Sequence, residues 1–251
     1  MPHTVFTRDA GGGIYSRNVP ENFIDFGAFP YALSQSNFQR CLVASLVTST
    51  TAARTSNVVT ITATAHGVPN TYNGFRFYYP GSAGLAAGWV DNITVVDANT
   101  ITFPSVGADF TSQSVNSAAA YTTATTIPGG ILIPAGMMAD TTTGRIVVNV
   151  SSLNTAASKT VRPFLGASGL TPAQVGSTFN CGTREWEFSM LNTTQIVGVN
   201  VASGGNTGTA SLNTPVAFDP LTDNTISIQL TVSATQDFLA ILSTPKIILF
   251  R

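Results

Sequence analysis

Charge is what this chain has least of. Its 251 residues hold 11 Lys and Arg, 12 Asp and Glu and 2 His, so 9% are charged and the formal net charge is −1; an ordinary soluble protein is roughly a quarter charged. Lys159 and Lys246 are the only lysines. With no basic stripe to displace counterions, nucleic-acid binding by bulk phosphate neutralisation is excluded. Cysteine is equally scarce. Cys41 and Cys181 make no disulfide framework, and we expect two free, buried thiols in a protein folded in a reducing cytosol. The histidines are His3 and His66, and with the two cysteines they show no ligand spacing, so the sequence indicates no metal site and no cofactor. Long apolar runs are also missing. The uncharged stretch 110–139 is broken by Pro128, Gly129, Gly130 and Pro134, which leaves no apolar span of about 18 residues. Asp9 and the Gly11, Gly12, Gly13 run stand where a signal peptide would need its apolar core, so none is expected.

What is present is apolar material without charge to keep copies apart. A hydrophobic fraction of 43% with 15 Phe excludes disorder, and a surface with few charges favours association. Residues 1–40 show neither helical nor strand periodicity, and Phe23, Phe26, Phe29, Tyr31 and Phe38 sit there among Asn, Pro, Gly and Ser. Two readings stay open for this segment: a loop folded back over its own core, or an extended arm whose Phe23, Phe26, Phe29 and Tyr31 anchor on a neighbouring subunit.

Beyond residue 58 the pattern is β throughout. Alternation over 58–64 is followed by strands expected at 75–79, 93–96 and 100–103, separated by turn residues. Further strands are expected at 144–150, 159–165, 184–191, 195–201, 215–218, 226–232, 238–242 and 246–250, with one helical turn near Pro172. Ile226, Ile228, Leu230 and Val232 alternate with Ser227, Gln229 and Thr231 in a strict period of two. The chain thus reads as all-β: after the segment 1–40 comes a small β-barrel or sandwich module, then strands that fit a two-sheet jelly roll.

Few residues offer chemistry. Glu185 and Glu187 flank Trp186, and positions i and i+2 of a strand share a face. Two carboxylates about 5 Å apart in a cleft would suit a glycosidase. The simpler reading has Trp186 and Phe188 in the core and the glutamates in solvent, paired with Arg184 or Arg145. His66, at a strand-end His-Gly turn, suits the capping of backbone groups. Asp219, Asp223 and Asn224 have the donors for Ca²⁺ but are also ordinary turn residues. Gly11, Gly12 and Gly13 lack the Lys and Ser or Thr of a phosphate loop. No motif indicates an enzyme.

Several segments look familiar. Ile133-Pro134-Ala135-Gly136, then Gly144-Arg145-Ile146-Val147, then Lys159-Thr160-Val161-Arg162-Pro163-Phe164-Leu165-Gly166 follow one another, with Asp223-Asn224-Thr225-Ile226-Ser227-Ile228 and Ala234-Thr235-Gln236-Asp237-Phe238 closing the series. This series resembles a jelly-roll family found among virion proteins of tailed bacteriophages, over about half the chain. Pro163 departs from that family's pattern and disfavours pairing there. Ala63-Thr64-Ala65-His66-Gly67-Val68 and Val96-Asp97-Ala98-Asn99-Thr100-Ile101 are similar to a second phage-associated β module. Simpler relatives join the stretch 41–48 directly to the strand at 133–136, so the resemblance implies an arm at 1–40, a jelly roll over 41–56 and 127–251, and a module inserted at 57–126. An insertion in an exposed loop contributes little to the host core, so 57–126 is expected to be removable. The resemblance implies a virion structural protein, non-enzymatic, placed on the head as a decoration or cement protein, trimeric, and in contact with the major capsid protein. The alternative it implies is a short tail fibre or receptor-binding protein, in which Tyr78, Tyr79 and Trp89 beside the loop 81–88 would stack on host glycan.

Overall fold

The computed structural model describes residues 3–8, 14–19, 30–35, 38–116, 125–138, 142–153, 159–165, 168–169, 173–175, 181–192, 195–201, 216–232 and 236–250. Their regular structure is strand, apart from one 3-10 turn at Asn70–Tyr72. β1 (His3–Arg8) and β2 (Ile14–Val19) form an antiparallel hairpin that is a sheet of its own. β3 (Tyr31–Ser34) and β4 (Cys41–Ser45) belong to the largest sheet. β5 (Thr51–Thr55) and β6 (Val58–Thr62) are joined through Ser56 and Asn57, both at positive φ, as a two-residue hairpin turn of this type requires. β7 (Arg76–Tyr79) runs parallel to β4 and carries β8 (Gly88–Val90) on its other edge. β9 (Thr94–Asp97), β10 (Thr100–Pro104) and β11 (Phe110–Ser114) complete a five-stranded sheet in the order β11-β5-β6-β10-β9.

The rest of the chain builds two larger sheets. β12 (Thr125–Thr126), β13 (Ile131–Ile133), β15 (Lys159–Leu165), β16 (Ser168–Gly169), β17 (Ala173–Val175) and β21 (Asn224–Val232) make a six-stranded sheet around the β15–β21 pair. β14 (Thr143–Ser152), β18 (Cys181–Asn192), β19 (Gln195–Val201), β20 (Val216–Ala217), β22 (Asp237–Ile241) and β23 (Lys246–Phe250) join β3, β4, β7 and β8 in a ten-stranded sheet. The all-β reading holds, with curled sheets packed as a sandwich.

Three parts of the sequence reading change. Among its described residues the segment 1–40 contains three strands, and β3 pairs with β23 from Tyr31↔Leu249 to Ser34↔Lys246, so its last part is a strand of the body. The helical turn expected near Pro172 is replaced by strand at β17, which pairs with β15. Pro163 does not disrupt its strand: it stands opposite Ile228 in an unbroken register. On the other edge of β15, β17 covers 159–161 and β16 covers 164–165. Pro163 falls between them, where its missing N–H removes no ladder bond.

Two cores share the ten-stranded sheet. One lies between it and the six-stranded sheet and holds Val43, Ile146, Val148, Trp186, Phe188, Leu239 and Ile241 against Val161, Ile226, Ile228 and Leu230. The other lies on the opposite face of β4, β7 and β22, where Leu42, Ala44, Phe77, Tyr79, Phe238 and Ala240 meet Ala52, Val59, Ile61, Ile101 and Phe103 of the five-stranded sheet. Every residue of β4 and β22 is therefore buried. Such strands read as continuous apolar runs because both faces are covered. The five-stranded sheet begins at β5, before the expected boundary at 57, and β7 and β8 within 57–126 pair into the ten-stranded sheet.

Candidate functional site

The familiar segments meet one another at joints. Gly136 takes φ +77 and its N–H donates to Pro220 O, while the Ala135 N–H donates to Asp223 Oδ1 at 2.9 Å. Asp219 Oδ1 accepts from the Leu221 N–H at 2.9 Å, and Asn224 Nδ2 donates to Asp219 O at 2.8 Å. The acidic loop therefore acts as turn chemistry that grips the strand-end turn after β13. Gly67, at φ +75, lies so close to Gln236 O that a Cβ there would collide with it. Gln236 in turn donates its N–H to Ser45 O and its amide to Thr64 O. This joint docks the 63–68 turn onto the loop before β22.

His66 locks that joint from inside. It is fully buried; Nε2–H donates to Asp97 O at 2.9 Å and Nδ1 accepts from the Val68 N–H at 3.1 Å. The two contacts define the neutral ring, and burial pushes its pKa below the usual histidine value. The capping role read from the sequence is what the side chain does.

Glu185 and Glu187 face outward from β18 while Trp186 and Phe188 are buried. Both glutamates hold one guanidinium, that of Arg145, at 3.4 Å and 2.8 Å. Arg184 lies on the buried side of the strand, where desolvation pulls its pKa down. A shallow depression of about 320 Å³ opens beside Glu187, lined by Gly144, Phe188 and Phe250. The arrangement is a charge clamp across β14 and β18, exposed enough that each pair adds under about 1 kcal/mol. Among the described residues no three of His, Cys, Asp and Glu gather as metal ligands. Cys41 is free and buried, with burial raising its thiol to about 12; the side chain of Cys181 lies outside the described residues.

The aromatic candidates divide. Phe23, Phe26 and Phe29 lie outside the described residues. Tyr31 is half-buried against its own sandwich core, because β3 turns Tyr31 and Leu33 inward and Ala32 and Ser34 outward. Tyr79 is fully buried and packs on Phe103 at 5.5 Å, so it cannot meet a glycan. Alternation along β7 sends Phe77 and Tyr79 into the second core and leaves Tyr78 on the other side. Tyr78 and Trp89 form a half-buried edge-to-face pair at 5.6 Å, and the Trp89 indole N–H donates to Thr126 O at 2.9 Å.

The sequence reading missed the most unusual polar contact. Lys159 Nζ meets Asp237 Oδ2 at 2.7 Å, with neither side chain exposed. Two signals mark it: Lys159 shares the buried face of β15 with Val161, and Asp237 heads the apolar run of β22.

Comparison with known proteins adds little. No protein-family model and no curated protein matches the sequence. Among solved structures, the insecticidal delta-endotoxin Cry8Ea1 from Bacillus thuringiensis aligns at 12% identity with a TM-score of 0.25. The alignment covers 98% of this chain and 48% of that one, so the chain spans about half its length. A likeness of that order assigns neither fold family nor function.

Proposed function

We propose that the chain is a non-enzymatic structural protein of a tailed-bacteriophage virion, set on the head as a decoration or cement protein and assembled there as a homotrimer against the major capsid protein. The observation that carries this reading is the N-terminal hairpin. Among the described residues, β1 and β2 pair only with each other, and a lone two-stranded hairpin is marginal in water; contact with a neighbouring subunit would stabilise it. The low charge of the chain supports close association of copies. The resemblance of the 133–166 and 223–238 segments supplies the class of particle. Electron microscopy of whole particles tests the proposal: density for this chain repeating with the head lattice is the expected result, and density confined to the tail overturns it.

A short tail fibre or receptor-binding protein recognising host glycan is the second reading, favoured by the half-buried Tyr78 and Trp89 rings. On that reading Trp89→Ala abolishes adsorption to cells; on the first it leaves adsorption unchanged.

A further inference from the structure

We propose that Lys159 and Asp237 are a site of self-modification, at which an intramolecular isopeptide bond between Lys159 Nζ and Asp237 Cγ ties the six-stranded sheet to the ten-stranded sheet. The inference is independent of the virion reading. Lys159 opens β15 in one sheet and Asp237 opens β22 in the other. Their reacting groups are in contact at 2.7 Å with no exposure to water. The second carboxylate oxygen, Oδ1, accepts the Phe238 N–H at 2.8 Å. That donor is aimed at the oxygen on which negative charge gathers when an amine attacks Cγ.

Burial changes the balance between salt and amide. In water an ammonium carboxylate is favoured because both ions are solvated, whereas removing them from water carries a desolvation penalty that only good geometry offsets. Condensation abolishes both charges. Holding the two groups in place also supplies the effective concentration that an intramolecular reaction enjoys, on the order of 10⁵ M or more in well-oriented cases.

The step balances without a co-reactant. One proton passes from Nζ to Oδ2 across the contact, leaving an amine and a carboxylic acid. The Nζ lone pair forms the N–C bond at Cγ while Oδ1 takes up negative charge against the Phe238 N–H. The Cγ–Oδ2 bond then breaks as charge returns from Oδ1, and Oδ2 leaves with a second proton from Nζ as water. Nothing is oxidised or reduced, and the protein loses one water.

Mass spectrometry of the denatured full chain tests this directly. The expected result is a mass lower than the sequence mass by one water, with proteolysis yielding a branched peptide that joins the segments around Lys159 and Asp237. Lys159→Arg should restore the full mass, abolish the branched peptide and lower the midpoint of thermal unfolding. A wild-type chain at its full sequence mass, or a water loss that maps elsewhere, overturns the proposal. If Lys159→Arg does not fold, the wild-type peptide map decides alone.

Discussion

Single residues in this protein act as fasteners, and their substitutions should read out as stability. His66 is held neutral by its two backbone contacts, and its folded pKa lies below the unfolded value near 6.5. The unfolded chain therefore binds the proton first. The stability contributed is complete above about pH 6.5 and declines as pH falls below that value towards the folded pKa. Denaturant melts across this range should show the decline in wild type and a flatter profile in His66→Gln, which should also lose about 1–3 kcal/mol at neutral pH through unsatisfied backbone groups. Gly144 is a second fastener, of a steric kind. It stands opposite Phe188, and a Cβ at that position would run into the Phe188 ring. Gly144→Ala should cost about 1–3 kcal/mol by overpacking, and Gly144→Ala combined with Phe188→Leu should recover part of that loss in thermal melts.

At the scale of elements, β4 and β22 decide whether the 57–126 segment is removable. Leu42, Ala44, Leu46, Phe238 and Ala240 belong to the second core, so deletion of 57–126 uncovers them. Leu42, Leu46 and Phe238 alone forfeit roughly 2 kcal/mol each, a sum comparable to the whole stability of many domains. The deletion product should accordingly be insoluble or bind a hydrophobic dye, contrary to what a loosely tethered insertion implies. A soluble, cooperatively melting product would show that the shared core is dispensable. The same two strands mark how far the sequence could be read. Strands with one wet face, such as β21, announced themselves by alternation, and their bounds came out close to those observed. β4 and β22 have no wet face, so nothing in their periodicity revealed that a second layer covers them. The Lys159–Asp237 contact was hidden for another reason: its partners lie in different sheets, and the register that brings them together depends on the tertiary packing. The inward Trp186 and outward Glu185 and Glu187, by contrast, follow from strand geometry alone and were legible, although the choice of Arg145 over Arg184 as their partner was not.

For the whole molecule, the hairpin and the body separate as test subjects. Removing residues 1–29 leaves β3 in place beside β23, so the truncated protein should melt close to the full chain, and on the virion reading proposed above it should fail to join particles. Removing 1–40 takes β3 as well and uncovers the edge of β23, so that product should melt lower; a large drop already on removal of 1–29 would place the hairpin in the body and overturn the docking role. The order of the strands also carries a message about time. The centre of the ten-stranded sheet pairs β4 with β22, and its flank pairs β3 with β23, which joins the early part of the chain to the late part. Contacts of such high sequence separation close slowly. While a ribosome is still translating the middle of the chain, the edge of β3 that takes β23 and the edge of β4 that takes β22 wait unpaired. The nascent protein is thus most exposed to misassociation just before synthesis of β22, and its yield in a host should depend on chaperone capacity far more than the stability of the finished fold suggests.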